Sequence, residues 1–160
     1  MRTIRTAVLI KPAGMVSEER FNAINDMITR TCDRNGLTIK WAEGVMLDRA
    51  EAEEFYAGHK GKWFYEPMAA QITGQWLCAY VIEGKFAARI MRRLIGDTDP
   101  AVAKVKSPGS IRGLFTEGNM SELAKSKQVV DNCIHGSKNA LEAKREIAVL
   151  MKAAASTLER

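Results

Sequence analysis

One histidine stands in a setting suited to covalent chemistry: His135, within Asn132-Cys133-Ile134-His135-Gly136-Ser137. An imidazole titrates near neutrality and can attack and later leave close to pH 7, so it is a candidate nucleophile. A histidine among small and polar residues can equally be a hydrogen-bonded structural group, and the company it keeps must decide. Ser137 has no separate base beside it, as a serine nucleophile would need, and reads as support for the histidine loop. The other histidine, His59, falls in the lysine- and glycine-rich run His59-Lys60-Gly61-Lys62 and is expected to be solvated. Cys32, Cys78 and Cys133 are odd in number and show no C-x-x-C spacing, so neither a zinc knuckle nor a disulfide framework is indicated, and small buried or half-buried thiols are expected.

Charge adds a second constraint. The chain carries 24 Lys and Arg against 19 Asp and Glu, a net charge of +5, which favours anionic ligands without requiring nucleic acid. The excess is local: Lys85, Arg89, Arg92, Arg93, Lys104, Lys106 and Arg112 face only Asp97 and Asp99 in the same stretch, whereas residues 17 to 66 hold most of the acids. With 160 residues, 46% of them hydrophobic, the chain is expected to form one domain over residues 1–160. No apolar run is long enough to span a bilayer, and Met1-Arg2-Thr3-Ile4-Arg5 leads into a strand-like segment without a signal-peptide core. A soluble cytoplasmic protein is the expectation.

The elements that must position these groups follow from periodicity and punctuation. Thr3 to Ile10 predicts a buried strand that stops at Lys11-Pro12-Ala13-Gly14 and delivers Lys11 to its end. Ser17 predicts the start of a helix with Phe21, Ile24, Met27 and Ile28 on one face, ending near Asn35-Gly36. Leu37, Ile39 and Trp41 alternate with polar or small residues, which predicts a second strand continuing through Leu47. Asp48 and Glu51 form a capping box for a short helix through Phe55 and Tyr56 that stops at Gly58. A further helix is expected from Trp63 or Phe64 to Ile72, and a third strand from Trp76 to Ile82, closed by Glu83-Gly84.

Lys85 to Ile95 predicts an amphipathic helix with Phe86, Ile90 and Leu94 inward and the arginines outward. From Gly96 to Asn132 periodicity is poor, and a long ordered loop with one helical turn is expected. Ile134 starts a short strand leading to His135. Asn139 caps a last helix in which Ala143, Ile147, Leu150, Met151 and Ala154 share a face and Glu146 lies beside it. The order β-α-β-α-β-α-β-α matches a four-stranded sheet of split βαβ type covered by helices.

These pieces resemble the nucleoside diphosphate kinase family. The matching segments are the strand ending in Lys11-Pro12-Ala13-Gly14, the Tyr56 and Phe64 pair, Arg92 with Gly96-Asp97-Thr98-Asp99-Pro100, Pro108-Gly109-Ser110-Ile111-Arg112-Gly113, the histidine hexapeptide, and Glu146. They run in the family's order over nearly the whole chain. The resemblance implies a ferredoxin-like fold with an antiparallel sheet, a homo-oligomer (hexamer or tetramer), and transfer of a γ-phosphoryl group from a nucleoside triphosphate to a nucleoside diphosphate through a phosphohistidine.

By that resemblance His135 carries the phosphoryl group and Glu146 orients its imidazole. Lys11, Tyr56 and Asn132 contact the transferring group and the neighbouring sugar hydroxyl, and Arg92, Thr98 and Arg112 hold the outer phosphates. Phe64 stacks on one face of the base and Val129 lies on the other, so broad nucleotide tolerance is expected. Mg²⁺ arrives on the nucleotide phosphates, with no metal ligands from protein side chains.

Three departures from the family pattern stand out. Ala13 occupies a place where aspartate is usual, which predicts a looser lysine turn. The segment near residues 15–35 is lengthened, and so is the loop near 113–131, beside the expected nucleotide site. A second functional expectation, motivated by the basic stretch Lys85 to Arg112 and these insertions, is a catalytically weak regulatory protein of the same fold that binds nucleotides or nucleic acid.

Overall fold

β1 (Ile4–Ile10) is the strand around which the other elements are laid; the computed structural model describes residues 4–159. Thr3, expected in this strand, lies outside the described residues. Alternation along β1 sends Ala7 and Leu9 into one apolar cluster and Val8 and Ile10 into another, so the strand is buried on both faces. A 3₁₀ turn at Pro12–Gly14 follows, then α1 (Glu18–Asn35). The Ser17 hydroxyl accepts from Arg20 N at the start of α1, and Gly36 ends it at φ 63°, a left-handed conformation that spares glycine a Cβ clash.

β2 (Thr38–Met46) forms one edge of the sheet. Asp48 and Glu51 close the capping box that opens α2 (Arg49–Phe55), and a 3₁₀ turn at Ala57–His59 leads towards α3 (Tyr65–Ile72). Next come β3 (Trp76–Gly84), which runs through the Glu83-Gly84 pair expected to close it, and α4 (Ala87–Ile95). Three short helices follow: α5 (Pro100–Lys106), α6 (Ile111–Phe115) and α7 (Met120–Lys125). β4 (Ile134–Gly136) and α8 (Ala140–Thr157) complete the described chain.

The strands are ordered β2-β3-β1-β4 and every neighbouring pair is antiparallel. This is the ferredoxin-like, split βαβ arrangement expected. One face is covered by α1, α4 and α6 through Ile24, Ile28, Met91, Ile95 and Ile111. The other is covered by α2, α3 and α8 through Phe55, Ile72, Leu150 and Ala153.

Four local expectations are corrected. The stretch from Gly96 to Asn132 holds three helices, not one turn. Each rests on a cap: Asp99 accepts from Ala101 N, Ser110 from Gly113 N and Asn119 from Glu122 N. Trp41 does not share a face with Leu37 and Ile39, because a register shift between Ile39 and Trp41 inserts one residue and turns Trp41 to the opposite side of the sheet. Phe86 is not on the buried face of α4; it caps the helix at φ 62° and is half exposed, with Ala87, Met91 and Ile95 inward. In α8, Met151 is exposed while Glu146, Val149 and Ala153 are buried, because the helix is turned to bring a hydrogen-bonded carboxylate into the interior.

Candidate active site

Antiparallel pairing of β1 with β4 sets Leu9 opposite His135 and Ile10 opposite Ile134. The next residue, Lys11, therefore starts its turn beside the histidine strand, and its backbone N donates to Cys133 O at 2.9 Å. Gly14 permits the approach: a Cβ there would lie 2.6 Å from Cys133 O and 2.7 Å from Ile10 Cγ2. Despite Ala13, the turn is closed by Gly14 N donating to Lys11 O at 2.8 Å, and Arg20 Nη1 donates to Ala13 O at 3.0 Å. The expectation of a loose turn meets a hydrogen-bonded one whose ties come from backbone and from α1.

Around this junction lies a cavity of about 690 Å³. The turn after β1 and α6 contribute Lys11 and Arg112, α4 and the segment after it contribute Arg92, Gly96 and Thr98, and Asn132 and His135 come from the histidine segment. Tyr56 and His59 enter from the α2 side. Lys11 is only 3% exposed. Its amine is held at a pKa of about 8, first by burial and then by the Arg112 charge, with Asp131 and Cys133 acting in the opposite sense. Arg112 is buried too: Nη1 donates to Gly96 O at 3.3 Å and Nη2 to Ile134 O at 3.0 Å. These anchors aim the guanidinium between α4's end and β4.

Glu146, 2% exposed on α8, holds the imidazole from beneath. Its Oε1 lies 2.9 Å from His135 Nε2, and its Oε2 accepts from Ser137 Oγ at 2.6 Å. Ser137 is itself tied to β1, with Ala7 N donating to Ser137 Oγ at 3.1 Å. Because a carboxylate only accepts, Nε2 carries the proton in the neutral ring and Nδ1 keeps a lone pair. Phe55 and Tyr56 pack edge-on against the imidazole, with ring centroids at 5.0 and 5.8 Å.

The remaining expected residues distribute as follows. Asn132 Nδ2 donates to Thr98 O at 3.3 Å, which joins the histidine segment to the loop after α4. Arg92 is exposed, with Nη1 donating to Lys138 O at 3.2 Å. Phe64 caps α3 and lies 5.3 Å from the His59 ring. Neither Phe64 nor Val129 is part of the cavity wall described above, and Val129 is half-buried just before Val130.

His59 corrects the expectation of a solvated side chain: it is half-buried in the cavity wall, and burial followed by the Lys62 charge lowers its pKa. Its presence beside one other histidine was the only signal in the sequence. Gln71, which meets Lys11, gave no signal at all.

Four cavity residues hold buried polar atoms without a protein hydrogen-bond partner: Tyr56 Oη, His59 Nδ1, Arg112 Nε and Asn132 Oδ1. Such atoms are costly in a dry interior; Tyr56 Oη and Arg112 Nε can donate to an anionic, oxygen-rich ligand beside the two buried cations, whereas Asn132 Oδ1 can only accept, as from a hydroxyl. Among the described residues, no group of three or more His, Cys, Asp or Glu side chains is placed to hold a metal ion. No helix among them is long and apolar enough to cross a membrane.

Comparison with known proteins gives the same arrangement a family. The sequence profile described as "Nucleoside diphosphate kinase" matches residues 4–155. The nucleoside diphosphate kinase of Staphylothermus marinus is 40% identical over 152 residues, covering 95% of each chain. Among solved structures, a transition-state mimic of the Borrelia burgdorferi enzyme with bound vanadate and ADP aligns with a TM-score of 0.75 at 26% identity, covering 92% of this chain and 86% of that one. The Halobacterium salinarum enzyme in complex with CDP aligns with a TM-score of 0.70 at 33% identity, covering 92% and 87%. A histidine hydrogen-bonded to a buried carboxylate, in a cavity lined by lysine and arginine, is thus found in a chain that belongs to the nucleoside diphosphate kinase family.

Proposed function

We propose that this protein moves the γ-phosphoryl group of a nucleoside triphosphate onto a nucleoside diphosphate in two half-reactions through His135. The observation that carries the reading is the 2.9 Å contact between His135 Nε2 and Glu146 Oε1, which leaves Nδ1 as the nucleophilic nitrogen. In the first half-reaction the Nδ1 lone pair forms a bond to the γ-phosphorus. The bond from that phosphorus to the β–γ bridging oxygen breaks, and the nucleoside diphosphate leaves with the electron pair. The ring gains positive character while Nε2–H remains on Glu146, whose negative charge stabilises it. In the second half-reaction a terminal oxygen of another nucleoside diphosphate attacks the same phosphorus and His135 Nδ1 leaves.

Lys11 and Arg112 neutralise charge on the transferring and neighbouring phosphates at fixed positions, which spares reorganisation during the step. Tyr56 and Asn132 meet the transferring group and sugar hydroxyl with polar atoms that are buried and unpartnered within the protein. Arg92 and Thr98 take the outer phosphates, and Phe64 takes one face of the base, with Val129 on its far side. The basic character of the wall and its lack of clustered carboxylates suit Mg²⁺ carried on the nucleotide phosphates, where the ion adds further charge neutralisation. The Borrelia burgdorferi relative with vanadate and ADP and the Halobacterium salinarum relative with CDP support a site that accepts both a purine and a pyrimidine nucleotide. The reading also carries a cytoplasmic place of action and a homo-oligomer, for which the edge strand β2 offers pairing surface.

Incubation with nucleoside triphosphate labelled in the γ-phosphate and Mg²⁺ is expected to leave an acid-labile, alkali-stable label on His135. The label should pass to any added nucleoside diphosphate. A wild-type protein that takes no label, or a His135→Ala variant that still turns over, overturns the proposal. Salt-dependent oligonucleotide binding without phosphate exchange would instead favour the regulatory reading.

A further inference from the structure

Lys11 Nζ donates to a side chain from an element remote in sequence: Gln71 Oε1 accepts from it at 3.1 Å. The other end of the same amide is also used, since Gln71 Nε2 donates to Val130 O at 3.2 Å. The two contacts fix the amide's orientation. An ammonium only donates and a carbonyl oxygen only accepts, so a flipped amide would face donor with donor and acceptor with acceptor. Gln71 is in the last turn of α3, between Ala69 and Ile72, both fully buried against the sheet, so its backbone is well anchored.

We propose that Gln71 is a positioning residue for the phosphoryl-transfer step: it fixes the Lys11 ammonium and couples it to the Val130–Asn132 segment that leads into His135. This rests on the function proposed above. The relay joins three parts of the site: the end of β1, the end of α3 and the approach to β4. With one of its protons committed to Gln71, the ammonium has two left for phosphate oxygens, and the direction of those two is set by the first. A neutral acceptor also favours the charged form of a lysine that burial and Arg112 disfavour. Asp131 and Cys133 from the segment before β4 act in the same direction as Gln71, Arg112 of α6 acts against it, and Tyr56, His59 and His135 line the same cavity.

Two variants separate positioning from packing. Gln71→Met keeps the bulk and removes both hydrogen bonds. Gln71→Glu keeps an acceptor for Lys11, adds a charge, and places an acceptor against Val130 O. In Gln71→Met, kcat/KM for nucleoside triphosphate is expected to fall about tenfold, as loss of a hydrogen bond to a charged group implies, and its alkaline limb to move to lower pH. In Gln71→Glu the limb is expected to move to higher pH.

The second readout needs no catalysis. The ¹³Cε resonance of Lys11 in the ligand-free protein, assigned by its loss in Lys11→Met, should titrate in the same two directions. If the wild type exchanges phosphate but neither the limb nor the resonance moves in either variant, Gln71 only packs and the proposal fails. If the resonance moves as stated while the wild type takes no phosphate, the positioning contact stands and the functional reading is what fails.

Discussion

Glu146 and Ser137 share a hydrogen bond of 2.6 Å at the base of the site, and through it the helix that supplies the carboxylate is locked to the residue that follows β4. Ser137 accepts in turn from Ala7 N of β1, so the support for His135 runs from α8 through β4 into the central strand. The imidazole is therefore oriented by a rigid chain of buried groups.

Glu146→Gln tests the charge on that chain. The amide oxygen can still accept from His135 Nε2, so geometry survives while the negative charge that stabilises the phosphorylated ring is lost. Single-turnover labelling of His135 is expected to slow by about a hundredfold, within the usual range for a group assisting proton and charge balance. Labelling at the wild-type rate would remove Glu146 from the mechanism.

Ser137→Ala tests the tie itself. It strips a donor from buried Glu146 and an acceptor from Ala7 N. Urea unfolding should show a loss of about 1–3 kcal/mol, the cost of leaving buried polar groups unpaired. Phosphorylation should slow less than in Glu146→Gln, because the carboxylate charge remains.

Lys11 predicts opposite trends for activity and stability with pH. Its folded-state pKa, about 8, is below the ordinary lysine value of 10.5. Above about pH 8 the ammonium is lost and kcat/KM should fall, since the phosphate loses its partner. The unfolded chain binds the more protons between pH 8 and 10.5, so the lysine's contribution to stability is unfavourable below pH 8 and recovers as pH rises through that window, by about 3 kcal/mol in all. Lys11→Met should abolish both trends, which denaturant titrations and initial rates from pH 7 to 10 would register.

Gly14→Ala probes the contact between the lysine turn and the histidine strand. The added methyl would meet Cys133 O at 2.6 Å, and backbone cannot move aside cheaply. A loss of about 1–3 kcal/mol is expected from the overpacking, together with a drop in kcat/KM as Lys11 shifts. Thermal unfolding and exchange kinetics report the two effects separately, and a variant as stable and active as wild type would contradict the close approach.

Much of the architecture is determined by local sequence alone, because the signals are short-range. Ser17 and Gly36 bound α1, Asp48 and Glu51 start α2, and the apolar runs 4–10 and 76–82 declare central strands. Lys11, Arg112, Asn132, His135 and Glu146 were legible as a set only through the family resemblance of the segments that carry them, since no local signal ties them together. What tertiary structure decided are the features with no local signature. The helices α5, α6 and α7 span five to seven residues, too few for hydrophobic periodicity to declare itself, and they stand on their caps and on packing. The inserted residue at Lys40 turned Trp41 to the other face because β2 pairs with β3 in a shifted register, which only the partner strand can specify. Glu146 entered the buried face of α8, against its usual preference for water, because His135 and Ser137 satisfy both of its oxygens there. Gln71 joined the site through partners remote in sequence, Lys11 and Val130, and His59 through a cavity it shares with His135 and Glu142, so only folding could reveal either.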